Sequence, residues 1–139
     1  MIYKKFNNKY IVRLNVGEDI VESVKKFAQE QNIKFGTVTG IGAVNKAKIG
    51  LFNTETKEYQ STILEEDMEI ISLAGNITEM NGEPYIHLHI ALANSEHNVK
   101  AGHLNMAVIS STGEIIIEAI DGYVDREFDD DIGLNLLKF

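Results

Sequence analysis

His87-Leu88-His89, with a third histidine at His103 directly after Gly102, is the stretch whose residue types and spacing can do chemistry. Ile86, Leu88, Ile90 and Leu92 share one parity and His87, His89 and Ala91 the other, the alternation of a half-buried strand. Both imidazoles therefore leave one face, roughly 6.5–7 Å apart along the backbone. Two neutral imidazoles so placed can converge on one ion, and a third completes a zinc-type site with a position left open. The same alternation also suits polar residues on the solvent face of a strand, because histidine is an ordinary surface residue as well as a frequent ligand.

His103 poses a problem of reach. A hairpin turning through Asn94–Lys100 places it opposite Leu92, three residues or roughly 10 Å beyond His89. Either Gly102 marks a bulge that redirects His103, or one ligand comes from another subunit. His97, inside Asn94-Ser95-Glu96-His97-Asn98, reads as part of an exposed turn. Glu118 interrupts a run of isoleucines, and a charge on a covered strand needs a partner, here Arg13 or a histidine. As a carboxylate orienting a metal-bound imidazole it would serve the centre itself.

Other motifs fail on chemistry. Gly40-Ile41-Gly42-Ala43-Val44 lacks the third glycine of the dinucleotide fingerprint, since position 45 is Asn45, and a strand follows it where a helix is required. It reads as a tight turn or a bulge. Ser110-Ser111-Thr112-Gly113 reads as a hairpin turn, and no nucleophile elbow, P-loop or helical zinc-protease motif occurs.

The elements that must position the histidines are mostly strands. Tyr10, Val12, Leu14 and Val16 alternate with polar neighbours up to Gly17. Ile20, Val21, Val24, Phe27 and Ala28 then follow at helical spacing, predicting one amphipathic helix over residues 19–31 that stops at Asn32. Strands are expected at Gly36–Ile41, Ala47–Asn53, Glu58–Leu64, Glu69–Thr78, Pro84–Ala93, Leu104–Ser110 and Glu114–Tyr123, the last covered on both sides. Most connections are hairpin-length, so the fold class is α+β, a mainly antiparallel sheet of about seven or eight strands with one principal helix.

The 139 residues suit a single domain over 1–139. No apolar stretch reaches the 18 residues of a membrane span, no apolar run stands behind Lys4-Lys5 to make a secretory signal, and the chain has no cysteine. A cytoplasmic protein is expected. The net charge of −8 disfavours phosphate neutralisation, and with it free-standing DNA binding. Acid concentrates in Glu65-Glu66-Asp67 and Asp125–Asp131, both expected as solvated loops. Ile132, Leu134, Leu136, Leu137 and Phe139 crowd the last eight residues, so the tail must cover either the chain's own sheet or a neighbouring subunit.

Gly40-Ile41-Gly42-Ala43-Val44, Ile71-Ser72-Leu73-Ala74-Gly75, His87-Leu88-His89 and Gly102-His103-Leu104 occur in an order and spacing that resemble the plants-and-prokaryotes conserved (PPC) domain. The likeness runs from about Tyr10 to Tyr123. It implies a compact α+β domain, a homotrimer, and a metal cluster at the matching residues His87, His89 and His103. Ala101-Gly102-His103 stands where members commonly show Gly-Gly-His. Plant members owe their DNA-binding label largely to an accompanying AT-hook, whose Arg-Gly-Arg core this chain lacks. Three readings follow: a trimeric protein binding zinc or a similar divalent metal, or a small-molecule ligand, through the histidine face; a transcription-associated DNA module; and a zinc-dependent hydrolase.

Overall fold

The computed structural model describes all of Met1–Phe139. α1 (Ile20–Glu30) forms where the apolar spacing asks for it. Asp19 caps it, its Oδ1 accepting from the Glu22 N–H at 2.9 Å, which satisfies one of the donors a helix start leaves unpaired. The buried face is Ile20, Val24, Phe27 and Ala28, the i, i+4, i+7, i+8 stripe of a helix lying on a sheet. Asn32, the expected stop, takes a left-handed φ of 52°, which asparagine tolerates better than most residues. Phe27 meets Tyr3 and Tyr10 edge-on at 5.0 and 5.2 Å between centroids, pairs that add about 0.5–1.5 kcal/mol beyond burial.

The rest is strand: β1 (Ile2–Phe6), β2 (Lys9–Leu14), β3 (Gly36–Asn53), β4 (Glu58–Leu64), β5 (Met68–Met80), β6 (Glu83–Ala93), β7 (Val99–Ala119), β8 (Asp125–Asp129) and β9 (Leu134–Lys138). The first seven make one antiparallel sheet in the order β1-β2-β7-β6-β5-β3-β4. β7 also pairs with β3, so β3, β5, β6 and β7 close into a ring of pairings. Closure removes the free edges that such long strands would otherwise expose. The core of 25 buried residues is drawn from β2–β7, from α1 and from Ile33.

Two expected breaks do not end strands. Gly36–Ile41 and Ala47–Asn53 belong to one strand, β3, and Leu104–Ser110 and Glu114 onward to one strand, β7, which ends at Ala119. Gly42 is the bulge of the two alternatives: the β3–β5 register shifts between Gly40 and Gly42. Its φ is +147°, and a Cβ there would lie 2.2 Å from the Thr112 carbonyl oxygen. The supposed turn at Thr112-Gly113 is interior strand, with Gly113 directly opposite Gly42. These strands bend at irregularities instead of reversing, as bulged strands do.

Other expectations are corrected by packing. β1, which the sequence reading left out, pairs with the outer edge of β2. Val16 lies beyond the end of β2 and is exposed. β7 is covered on one side only, with Ile115 and Ile117 buried but Ile116 44% exposed. Glu118 partners neither Arg13 nor a histidine; it pairs with Lys9 at 3.5 Å and accepts from Asn8 at 3.3 Å. Of the acidic segment Asp125–Asp131, only Asp130-Asp131 lie in an exposed turn; β8 takes Asp125–Asp129 and buries Arg126. Glu65-Glu66-Asp67 does connect β4 to β5 outside any strand, as expected.

Candidate metal centre

The turn at Asn94–Asn98 decides whether the three histidines meet. The Asn94 Oδ1 accepts from the N–H groups of Glu96 and Asn98, both at 3.1 Å, an arrangement that lets asparagine direct a turn with its own side chain. The turn is tighter than expected: Ala93 pairs with Val99, so His89 stands opposite His103 while Leu92 faces Lys100. The problem of reach disappears. Gly102 is no bulge, since it pairs in step with Ile90. It is glycine because β3 approaches there, the Gly50 carbonyl oxygen lying 2.8 Å from where a Cβ would be. His97 takes a positive φ of 63° in the turn and stays outside the cluster.

His87, two residues before His89 on β6, leaves the same face. Ring centroids lie 5.2 Å apart for His87–His89, 5.1 Å for His87–His103 and 5.7 Å for His89–His103. One ligand nitrogen of each ring lies within 4.8 Å of those of the others. Three nitrogens bonded tetrahedrally to one zinc sit about 3.4 Å apart, given bonds of 2.0–2.1 Å. Side-chain rotations could bring the three rings, all from one chain, onto a single ion.

β5 holds this face from the other side. Asn76 pairs with His87 and Ala74 with His89. At Gly75 a Cβ would stand 1.9 Å from the His87 carbonyl oxygen, so only glycine lets β6 approach at this point. Tyr59 of β4 meets His103 edge-on at 6.1 Å and donates its hydroxyl to the Asn105 Oδ1 at 2.6 Å.

Electrostatics favour the ligating form of His87 and His103. Burial, reinforced by the nearby His103, Arg126 and His89, pushes the His87 pKa down from its usual 6.5 to about 4. Burial, with His89 adding to it, also lowers that of His103. Both rings are neutral near pH 7, with lone pairs available to a metal. No carboxylate of this chain orients them.

The histidines open on a cleft of about 1470 Å³, bounded by β3–β7 on one side and by the β8–β9 hairpin on the other. Leu134, Leu136 and Leu137 of β9 line it while remaining 37–40% exposed, so the tail partly covers its own sheet. Arg126 enters the same cleft. Its Nε donates to the Thr78 Oγ1 at 2.8 Å, one Nη to the Asn135 carbonyl at 2.8 Å and the other to the Asn76 Oδ1 at 3.0 Å. The guanidinium lies 4.6 Å from the Tyr85 ring centroid. Sequence reasoning missed Arg126 because acidic neighbours mark the segment as solvated. The apolar residues that follow it were the signal that the segment docks.

The model of the Plants and Prokaryotes Conserved (PCC) domain matches residues 1–121. Among solved structures, a candidate DNA-binding protein from Bacteroides thetaiotaomicron VPI-5482 is 39% identical, with a TM-score of 0.97 over 99% of this chain and 96% of that one. A metal-containing protein from Archaeoglobus fulgidus is 30% identical, with a TM-score of 0.88 over 100% and 99% of the two chains. A plant- and prokaryote-conserved protein from Pyrococcus horikoshii is also 30% identical, with a TM-score of 0.88 over 99% and 95%. A curated relative, the bifunctional protein GlmU of Synechococcus sp. (strain JA-3-3Ab), is 30% identical over 110 residues, 78% of this chain. The match spans 16% of that protein's length. With the family model matched across β1–β7 and these folds superposing nearly end to end, the chain belongs to the Plants and Prokaryotes Conserved domain family.

Proposed function

We propose that this protein binds a divalent metal, zinc or a similar ion, through His87, His89 and His103, and presents an open coordination position to a small molecule in the cleft. The carrying observation is the convergence of three imidazole nitrogens within 4.8 Å on the wall of that cleft. Three protein ligands with a free position is the arrangement of metal sites that handle a ligand, whereas purely structural zinc sites are closed. An imidazole-only set suits zinc, copper, iron or nickel. The Archaeoglobus relative is described as metal-containing, which supports the reading. A metal bound there would supply Lewis-acid polarisation of a ligand oxygen. The chain itself supplies three imidazoles to hold the ion, Asn76 and Arg126 as polar contacts, and the β9 leucines to shield the site from water. Elemental analysis of untagged protein purified without chelator tests the reading: up to one zinc-like ion per subunit is expected. Full retention in the His87→Ala, His89→Ala double variant would end it.

A zinc-dependent hydrolase is the enzymatic form of the same reading. It needs a proton acceptor beside the open position, and the cleft wall carries no Asp or Glu. Turnover of a substrate alone would establish it.

The description of the Bacteroides relative favours a second reading, a transcription-associated module that touches DNA directly or through a partner. The net charge of −8 works against direct phosphate contact. Near physiological salt, duplex binding of roughly 10⁻⁴ M or weaker is expected. A sub-micromolar, sequence-dependent gel shift would make this the better account.

The assembly is proposed to be a homotrimer. Ile11 and Ile116 stand opposite each other in the β2–β7 register and are 43% and 44% exposed. Phe139 is fully exposed beyond β9. Ile11 and Ile116 are adjacent, and exposed apolar patches of this kind support an association surface there. Light scattering of the intact chain should give a trimer; a stable monomer sinks the assembly. Truncation after Asp131 should weaken it, and an unchanged trimer would remove the tail's part.

A further inference from the structure

Arg126 is the one charged side chain among the buried residues, 7% exposed. Buried charges are ordinarily paired, because the desolvation penalty of an ion is several kcal/mol even after relaxation. Arg126 takes part in none of the chain's seven ion pairs. Its three hydrogen-bond partners, Thr78, Asn76 and the Asn135 carbonyl, are all neutral. A guanidinium carries five N–H donors, so two remain beyond those three bonds.

The surroundings point the same way. The chain has 21 acidic residues, yet none lines the cleft, where Arg126 is the only permanently charged group. Asn76, which holds one Nη of Arg126, pairs in register with His87. The guanidinium and the histidine cluster therefore border the same part of the cleft. Tethering the β8–β9 hairpin to β5 accounts for three of the five donors, and a neutral side chain could do that without burying a charge.

We propose that Arg126 is the receptor for an oxyanion, so that the cleft takes a small organic acid, its carboxylate or phosphate on the guanidinium and its other polar atoms toward the histidines. The contact with the histidines rests on the metal-centre reading; the contact with Arg126 does not. Arginine suits this role because its planar fork matches both anions with paired hydrogen bonds.

The chain has only two arginines, Arg126 and the exposed Arg13. Side-chain ¹H–¹⁵N NMR of the Nε–H groups thus carries its own reference. Lactate, its neutral amide lactamide, and inorganic phosphate are titrated into zinc-loaded and chelator-treated full-length protein. Lactate or phosphate should shift the Arg126 resonance and leave Arg13 in place, with lactamide at least ten-fold weaker; the tighter anion names the group. Calorimetry on Arg126→Gln should show at least a ten-fold loss of anion affinity with metal content unchanged. Equal shifts at both arginines, equal binding of lactamide, or no Arg126 shift up to about 50 mM, far above a millimolar Kd, would overturn the proposal. If Arg126→Gln does not fold, the wild-type titration decides alone. Anion binding that persists at Arg126 in protein unable to hold zinc removes the metal reading and keeps this one. Anion binding that needs zinc and ignores Arg126→Gln does the reverse.

Discussion

His89 of β6 and His103 of β7 are paired residues of neighbouring antiparallel strands, their rings 5.7 Å apart on one face. Directly opposed side chains are close neighbours in a sheet, so this pairing brings two imidazoles together without any loop. His87 joins them from one pleat away, 5.1 Å from His103. Each ring should therefore contribute as a ligand. Alanine at any of the three should weaken zinc affinity by more than about 100-fold, exceeding the 10–100-fold typical of losing an outer hydrogen-bond partner. Competition against a chelator of known affinity measures this. A loss under ten-fold at all three positions would remove them as ligands.

Acid should destabilise the metal-free protein in part through His87. Its folded pKa, about 4, lies below the ordinary 6.5. Between those values the unfolded chain binds a proton that the folded chain refuses, so stability falls as pH drops from about 6.5 toward 4. After discounting for a ring only half buried, that share is about 1–2 kcal/mol. Urea titrations of chelated protein at several pH values should show a shallower slope for His87→Gln. An identical slope would contradict the assignment.

Gly75→Ala should damage both fold and site. The added Cβ meets the His87 carbonyl oxygen at 1.9 Å and the Leu88 Cα at 2.8 Å, both backbone, so β6 itself must move. Overpacking of this kind costs about 1–3 kcal/mol, a fall in melting temperature of roughly 3–10 °C for a chain of this size. Zinc affinity should drop as well, because His87 is displaced. A variant with wild-type melting and affinity would show that the approach is looser than it stands.

Asp19 does two jobs, capping α1 through Oδ1 and accepting the Ala107 N–H of β7 at 2.8 Å through Oδ2. Asp19→Ala loses both and should cost roughly 2–4 kcal/mol, a cap plus an unsatisfied donor. Asp19→Asn keeps the cap oxygen and should fall between wild type and alanine. Chemical denaturation gives the order, and equal stability of the alanine and asparagine variants would refute the double role.

Periodicity alone determined the helix and most strands. The stripe Ile20, Val24, Phe27 and Ala28 can bury itself in only one way, and the parity of Ile86, Leu88, Ile90 and Leu92 fixed which face of β6 the histidines would leave. Composition likewise supplied the net charge of −8, which disfavours phosphate contact and needs no coordinates. The meeting of His89 with His103 was beyond it, because a one-residue change in turn length moves every pair in a hairpin. Gly42 and Gly113 look the same in sequence as turn glycines, and only the antiparallel pairing of β3 with β7 made them interior. Arg126 was hidden by acidic neighbours until β8 turned it into the cleft. Local pattern reports which way a side chain points; which distant side chain it meets is decided by closure of the sheet.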